Sequence, residues 1–204
     1  MNTPKTSRLS TEYRFVVWVL LAVVVVVTVK RIFFGLDIDE EYSVATIYRL
    51  ACGDMPIKEV WEPHQTSSLV MAPFAFIFMK LPGGSEYLLL FLRLLGVVIQ
   101  GGAALIWYSF FKEKAGKIPA LVSAFLSFLV LPKFIQSPEF NNMQIVFFVP
   151  SCIYLLKAYE TLKPVHVCLA GLFMVLEVMS YPSCLLVYIV LLICIVAMSH
   201  FIRK

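Results

Sequence analysis

Four carboxylates stand within five residues in the run Asp37-Ile-Asp-Glu-Glu41. A positioned carboxylate can orient a hydroxyl group or take its proton. Asp39 is the candidate catalytic base, because it falls in the first turn of a predicted helix, where the helix dipole favours the charged form. Asp37-Ile-Asp39 also has the DxD spacing by which some enzymes hold a divalent cation. The alternative interpretation is that Asp39, Glu40 and Glu41 are simply solvent-exposed acids at the start of a helix and have no catalytic role.

Neighbouring residues predict the helix that would position these carboxylates. Asp37 and Glu40 have capping-box spacing, with Asp in the Ser/Thr position. Apolar side chains then recur at helical spacing from Val44 to Ala51, and Gly53 follows as a natural C-terminal stop. The pattern predicts an amphipathic helix over residues 38–52 that starts at an Asp37 cap and lies on a membrane surface.

Further candidate residues follow along the chain. Glu62-Pro-His64 places an acid and an imidazole before the apolar segment Leu69–Leu81. Arg93 interrupts the apolar stretch Leu88–Leu95, where it either extends its charge towards water or binds a phosphate bidentately. Glu139, together with Lys133, lies in a short polar loop near residues 132–142 and is predicted to join the same site.

Glu177 differs from these residues because it lies inside an apolar run. Acids within a membrane are costly and are functional candidates by default. Pairing with Arg93, or a protonated carboxyl group, would also account for it.

The composition determines what kind of structure carries these residues. Hydrophobic residues make up 60% of the 204-residue chain and charged residues 15%, and its mean hydropathy is +0.86. Soluble domains have roughly 45–50% apolar and about 25% charged residues. Because the excess lies in long runs, we expect an all-α, polytopic membrane helix bundle forming a single domain over residues 1–204. The predicted spans are 15–34, 88–111, 118–132, 143–159, 165–180 and 184–200.

Charge predicts the orientation of these spans. Leu69–Leu81 is short and contains Pro73 and Lys80, as expected of an interfacial or re-entrant piece. If it does not cross, basic residues beside the helix ends gather on the cytoplasmic side, as the positive-inside rule requires. The chain is then predicted to be multi-pass, and we expect it in a bacterial plasma membrane. Its N-terminus is cytoplasmic, its first span is an uncleaved signal anchor, and residues 35–87 form a large extracytoplasmic loop.

Several function classes are disfavoured. The five cysteines form no CxxC pair, so the sequence predicts neither a zinc site nor a disulfide framework. There is no basic stripe with interleaved aromatic residues in a soluble segment, so we expect no nucleic-acid partner. A transporter is expected to carry polar residues near mid-membrane. In this chain the polar candidate residues gather in the predicted outer loops and at the outer ends of helices, which disfavours a transporter. A non-catalytic accessory subunit or small transporter remains the alternative to an enzyme.

The order of these elements resembles the N-terminal half of GT-C glycosyltransferases, in particular the protein-mannosyltransferase and aminoarabinose-transferase-like group. The resemblance rests on Asp39-Glu-Glu-Tyr42 after an N-terminal anchor, on a helix ending Cys52-Gly-Asp54, and on Glu62-Pro-His64. It continues with Arg93 at the head of the next span and Pro138-Glu-Phe140 two spans later. It covers nearly the whole chain.

The resemblance implies an inverting transfer of a sugar from a polyprenyl-phosphate-linked donor on the outer membrane face. Asp39 matches the family's catalytic carboxylate, and Arg93 matches an arginine that faces the donor phosphate. Glu40, Glu62, His64 and Glu139 are implied substrate-binding residues, although Glu139 stands where the family often has Asp. No resident cofactor is implied. The implied partners are the lipid-linked donor, membrane lipids and a second chain if one completes the bundle, since the family usually continues with more spans.

Overall fold

The computed structural model describes residues 5–62, 64–82, 84–133 and 135–202, and about 80% of the chain is helical. The described residues contain no strand; their one isolated β-bridge joins Pro56 and Val60. The all-α fold class is therefore confirmed. The helices are α1 (Lys5–Phe33), α2 (Ile38–Cys52), α3 (Gln65–Met79), α4 (Leu88–Ala115), α5 (Lys117–Leu129), α6 (Phe140–Thr161), α7 (Pro164–Ser180) and α8 (Cys184–Ile202).

The helix that carries the acidic run has the predicted bounds, Ile38–Cys52. Asp37 caps it, since a side-chain oxygen accepts a hydrogen bond of 2.9 Å from the Asp39 backbone N–H. At the other end Gly53 adopts a left-handed conformation with φ of 106°, which a residue without a Cβ adopts at low cost. Both predicted ends of α2 are confirmed. They fix the positions of Asp39 and Glu40 in the first turn of the helix.

Two helices are long and apolar enough to cross a membrane, over Tyr13–Phe33 and Leu88–Ala115. Only 6% of the apolar window of the first and 22% of that of the second is buried within the described part of the protein. Large apolar side chains such as Val26 and Leu105 point outward. Such continuous apolar surface is typical of lipid contact and points to a membrane protein.

The remaining helices differ in detail from the predicted spans. α5 ends at Leu129 rather than near 132, and Val130 is already extended. Pro132 disfavours helical backbone at Leu131, the residue before it, so the helix does not continue to 132. α6 begins at Phe140, three residues earlier than predicted, because Glu139 caps it. The segment predicted to lie outside the membrane core is helical, as α3, despite the internal Pro73.

The core forms where α2 and α3 pack on α4 and α6. Ile47, Met71, Leu92 and Met143 are each at most 2% exposed and belong to one hydrophobic cluster. α4 pairs with α5, and α6 pairs along its length with α7. The start of α2 is therefore held against the start of α4, which brings the acidic run next to Arg93.

Candidate functional site at the start of α2

A buried ion pair anchors the site. The Arg93 Nε donates a hydrogen bond of 2.7 Å to one Glu40 oxygen, and Nη2 donates one of 2.5 Å to the other. Arg93 is 3% exposed and Glu40 is 1% exposed. A two-pronged guanidinium–carboxylate contact fixes geometry as well as charge, because both hydrogen bonds must align at once. The pair therefore fixes α2 on α4.

The same guanidinium also holds the end of α1. Its Nη1 donates to the Ile32 carbonyl at 2.7 Å, and Nη2 donates to the Gly35 carbonyl at 2.8 Å. A cation at a helix C-terminus is favourable, because the last carbonyls lack partners and carry partial negative charge. Arg93 thus joins α1, α2 and α4. Its donors are used within the fold, so contact with a donor phosphate stays a prediction, as does substrate binding by Glu40.

Asp39 faces a different cation. Its carboxylate lies 2.8 Å from the Lys133 ammonium, which is also 3.7 Å from Asp37. These three side chains are about one third exposed, so a substrate can reach them. The hydrogen bond to Asp39 raises the pKa of Lys133 above its ordinary value. In this structure the two carboxylates of the DxD run therefore share an ammonium group.

Glu139 organises the loop that carries Lys133. It caps α6 by accepting backbone hydrogen bonds from Asn142 at 2.9 Å and from Asn141 at 3.1 Å. The Asn142 side chain donates to the Ile135 and Ser137 carbonyls and accepts from the Lys133 N–H at 3.3 Å. Glu139 and Asn142 together hold the loop in which Lys133 lies.

Burial raises the pKa of Glu139, and the charge on Asp39 raises it further, against the lowering effect of the hydrogen bonds from Asn141 and Asn142. Glu139 is 1% exposed and accepts from the α6 backbone. Glu139 therefore influences Asp39 in two ways. It helps to hold the loop whose Lys133 pairs with Asp39, and the two carboxyl groups interact through their charge. Substrate binding by Glu139 stays a prediction.

Glu62 and His64 lie beside this group. The Tyr42 hydroxyl donates to Glu62, and burial, reinforced by Glu62, raises the pKa of Tyr42. The His64 ring stacks on Phe140 with centroids 4.0 Å apart and lies 5.3 Å from the Tyr181 ring. Each predicted site residue therefore lies in the first two turns of α2, or contacts those turns or the start of α6.

Two parts of this arrangement have no sequence signal of their own. Tyr42 reaches Glu62 across 20 residues, and Lys133 reaches Asp39 across 94 residues, from a loop the sequence only suggested as part of the site. The suggested pairing of Glu177 with Arg93 is wrong, because Arg93 pairs with Glu40. Glu177 instead accepts a hydrogen bond from the Tyr188 hydroxyl of α8. That contact ties α8 to α7.

No group of three or more His, Cys, Asp or Glu side chains is placed to hold a metal ion among the residues that the structure describes. The five cysteines are all unpaired thiols. The divalent cation suggested by Asp37-Ile-Asp39 stays a prediction.

The raised pKa of Glu139 gives a testable pH dependence. Because the folded protein binds this proton more tightly than the unfolded chain, the free energy of unfolding should fall as pH rises from about 4.5 through the raised pKa. Glu139→Gln should flatten this part of the profile. Glu86→Gln, which removes a carboxylate at an exposed position, is the charge-matched control variant. Thermal unfolding midpoints in detergent between about pH 4 and about pH 7 would show it. Equal slopes for the wild type and Glu139→Gln would contradict it.

Comparisons of the chain with protein-family models, with curated protein sequences and with solved structures gave no match. The function is therefore inferred from the site itself.

Proposed function

We propose that this chain is a multi-pass membrane glycosyltransferase, or the N-terminal part of one, that uses a polyprenyl-phosphate-linked sugar on the extracytoplasmic face. The observation that carries the proposal is the position of the Asp39 carboxylate, which is partly exposed and lies 2.8 Å from the Lys133 ammonium. Asp39 lies in the first turn of α2, a helix that the buried Glu40–Arg93 pair holds in place. A carboxylate and a cation side by side suit a reaction in which a hydroxyl attacks and a phosphate departs.

Asp39 orients the acceptor hydroxyl and takes its proton as the oxygen attacks the anomeric carbon from the side opposite the phosphate. The bond from that carbon to the phosphate oxygen breaks, the sugar is inverted at this carbon, and the lipid phosphate leaves with the electron pair. Lys133 neutralises charge on the departing phosphate, for which its contact with Asp39 must loosen as substrate enters. The enzyme contributes mainly position and charge stabilisation, because phosphate is already a good leaving group.

The membrane arrangement in this proposal has six spans and a large extracytoplasmic loop over residues 35–87. Two helices of spanning length and outward-facing apolar side chains support placement in a membrane. The distribution of basic residues supports the orientation, because the positive-inside rule favours Lys112, Lys114 and Lys117 on the cytoplasmic side. The proposed location is a bacterial plasma membrane with the N-terminus in the cytoplasm, and membrane lipids and the lipid-linked donor are the proposed partners.

A non-catalytic membrane subunit is the second candidate function. The observation that favours it is that charged side chains at the site neutralise one another: Asp39 pairs with Lys133, and Glu40 pairs with Arg93. Such pairs hold a fold together without any substrate. Activity measurements separate the two candidates.

Topology tests the proposal directly. In a chain whose native cysteines are replaced by serine, Glu41→Cys places a thiol at an exposed position of α2. Glu113→Cys places one at an exposed position near the end of α4. A membrane-impermeant maleimide added outside sealed spheroplasts should label position 41 and leave position 113 unlabelled until the membrane is opened. Labelling of position 41 only from the cytoplasmic side would end the proposal.

A transfer assay completes the test. The purified chain in proteoliposomes, supplied with fluorescent polyprenyl-phosphate sugars and a mixture of extracted membrane acceptors, should release lipid phosphate and move label to an acceptor. Correct topology with no transfer from any supplied donor would favour the non-catalytic subunit.

A further inference from the structure

An apolar groove runs between α1, α4 and α5, away from the carboxylate site. Its volume is about 740 Å³. Glycine and alanine residues on α4 open it, because their small side chains leave the neighbouring helices apart. A Cβ added at Gly102 would meet no atom within 4 Å. The lining residues are Val24, Val98, Gly101, Gly102, Ala104, Leu105, Tyr108, Leu121, Ala124, Phe125 and Phe128.

One face of α1 continues beyond the groove and becomes polar. Val24, Thr28 and Arg31 follow one another at spacings of four and three residues, so they lie on one helix face. The Thr28 hydroxyl oxygen and the Arg31 Nη1 are both buried and have no hydrogen-bond partner within the described residues. Arg31 uses its other terminal nitrogen, which donates to the Leu129 carbonyl at the end of α5 at 2.7 Å. Arg31 does not line the groove itself, but it lies two helical turns beyond Val24, and its partner Leu129 follows Phe128, which does line it. A guanidinium with an unused donor therefore lies next to one end of the groove.

An unused, buried guanidinium N–H is costly, because it has lost water without gaining an acceptor. A ligand that satisfies Arg31 and Thr28 must present acceptor oxygens, and phosphate offers several in a geometry that suits arginine. The groove below them needs an apolar chain, since its lining residues are almost all apolar. One class of molecule joins a phosphate to an apolar chain at a membrane surface: a membrane lipid.

We propose that the groove between α1, α4 and α5 binds a phosphate-bearing membrane lipid, with an acyl chain along Gly101 and Gly102 and the phosphate on Arg31 and Thr28. The proposal rests on the membrane placement given above, and it goes beyond the proposed sugar transfer, because it requires neither Asp39 nor any reaction. The site supplies a lipid anchor between three helices that otherwise leave a gap.

The test measures lipid binding by the purified full chain. After delipidation in detergent, the protein is titrated with phosphatidic acid and bound lipid is counted by native mass spectrometry. We expect one tightly held phosphatidic acid per chain. Diacylglycerol, which lacks the phosphate, should bind about tenfold more weakly, as expected for the loss of one charge-assisted hydrogen-bonded contact. Inorganic phosphate, which lacks the chain, should fail to compete.

Matched variants locate the site. Arg31→Gln should weaken phosphatidic acid binding about tenfold, whereas Lys30→Gln removes an equal charge from the exposed neighbouring residue and should not. Gly102→Leu should fill the groove and abolish binding. Gly171→Leu, at another helical glycine with open space around its Cβ, should leave binding intact. If Gly102→Leu fails to fold, Leu105→Trp fills the groove from an exposed position on the same helix.

Three results would overturn the proposal. The first is unchanged phosphatidic acid binding in both Arg31→Gln and a folded groove-filling variant, and the second is equal binding of diacylglycerol. The third is full competition by inorganic phosphate, which would indicate a site for a free anion. Asp39→Asn separates this proposal from the catalytic one. It should lose sugar transfer and keep its lipid, so failure of either proposal leaves the other measurable.

Discussion

Arg93→Ala should destabilise the protein by about 3–5 kcal/mol, the typical cost of removing one partner from a buried ion pair. The variant leaves the Glu40 carboxylate buried without its cation and also frees the Ile32 and Gly35 carbonyls at the end of α1. We expect a large fall in the thermal unfolding midpoint in detergent.

The double variant Arg93→Met/Glu40→Leu provides the control for this prediction. It removes both charges and fills a similar volume, so it should recover much of the lost stability, as replacement of buried ion pairs by apolar residues often does. Arg49→Ala removes a guanidinium from a pair with Asp54 that is 35–47% exposed, and its effect should be small. Equal destabilisation by Arg49→Ala and Arg93→Ala would show that burial of the Arg93 pair is not what matters.

Under the proposed function, Asp39→Asn should reduce sugar transfer by about 100- to 10,000-fold, the usual contribution of a general acid or base. The amide has nearly the shape of the carboxylate but does not accept a proton from the acceptor hydroxyl. Asp39 is about 38% exposed and does not cap α2, so membrane insertion and the unfolding midpoint should change little. The measurement is initial transfer rate in proteoliposomes at saturating donor.

Two neighbouring variants show whether such a loss belongs to Asp39 itself. Glu41→Gln neutralises an exposed acid in the same helical turn and should keep full activity. Lys133→Gln breaks the ion pair while leaving the Asp39 carboxylate, so it should lower the rate less than Asp39→Asn does. If Lys133→Gln and Asp39→Asn lose activity equally, Asp39 acts by holding the loop, and if Asp39→Asn keeps full activity, it has no role in transfer.

The buried pair also explains why Asp39 and Glu40 are not equivalent, although they are adjacent acids in one helical turn. Successive side chains on a helix point about 100° apart, so α2 turns Glu40 into the bundle while Asp39 faces outward to Lys133. Glu40 is therefore expected to act by fixing the orientation of α2. Asp39 is the carboxylate that a substrate can meet.

The ends of α2 and its acidic first turn were predictable from sequence, because their causes are local. A cap at Asp37 and a left-handed stop at Gly53 depend on residues within one helical turn. The all-α class was predictable for a similar reason, since long apolar runs without strand periodicity favour helices. Each of these features is decided by neighbours in the chain.

The partners of the charged residues were decided by tertiary structure. Arg93 meets Glu40 across 53 residues, and Lys133 meets Asp39 across 94, from elements that pack together only after their apolar faces meet. The sequence identified Arg93 as an unusual charge but left open whether it faced lipid headgroups, a phosphate or an acid. A charge takes whichever partner the packed helices bring within a few ångströms, and that distance depends on how helices far apart in sequence are assembled.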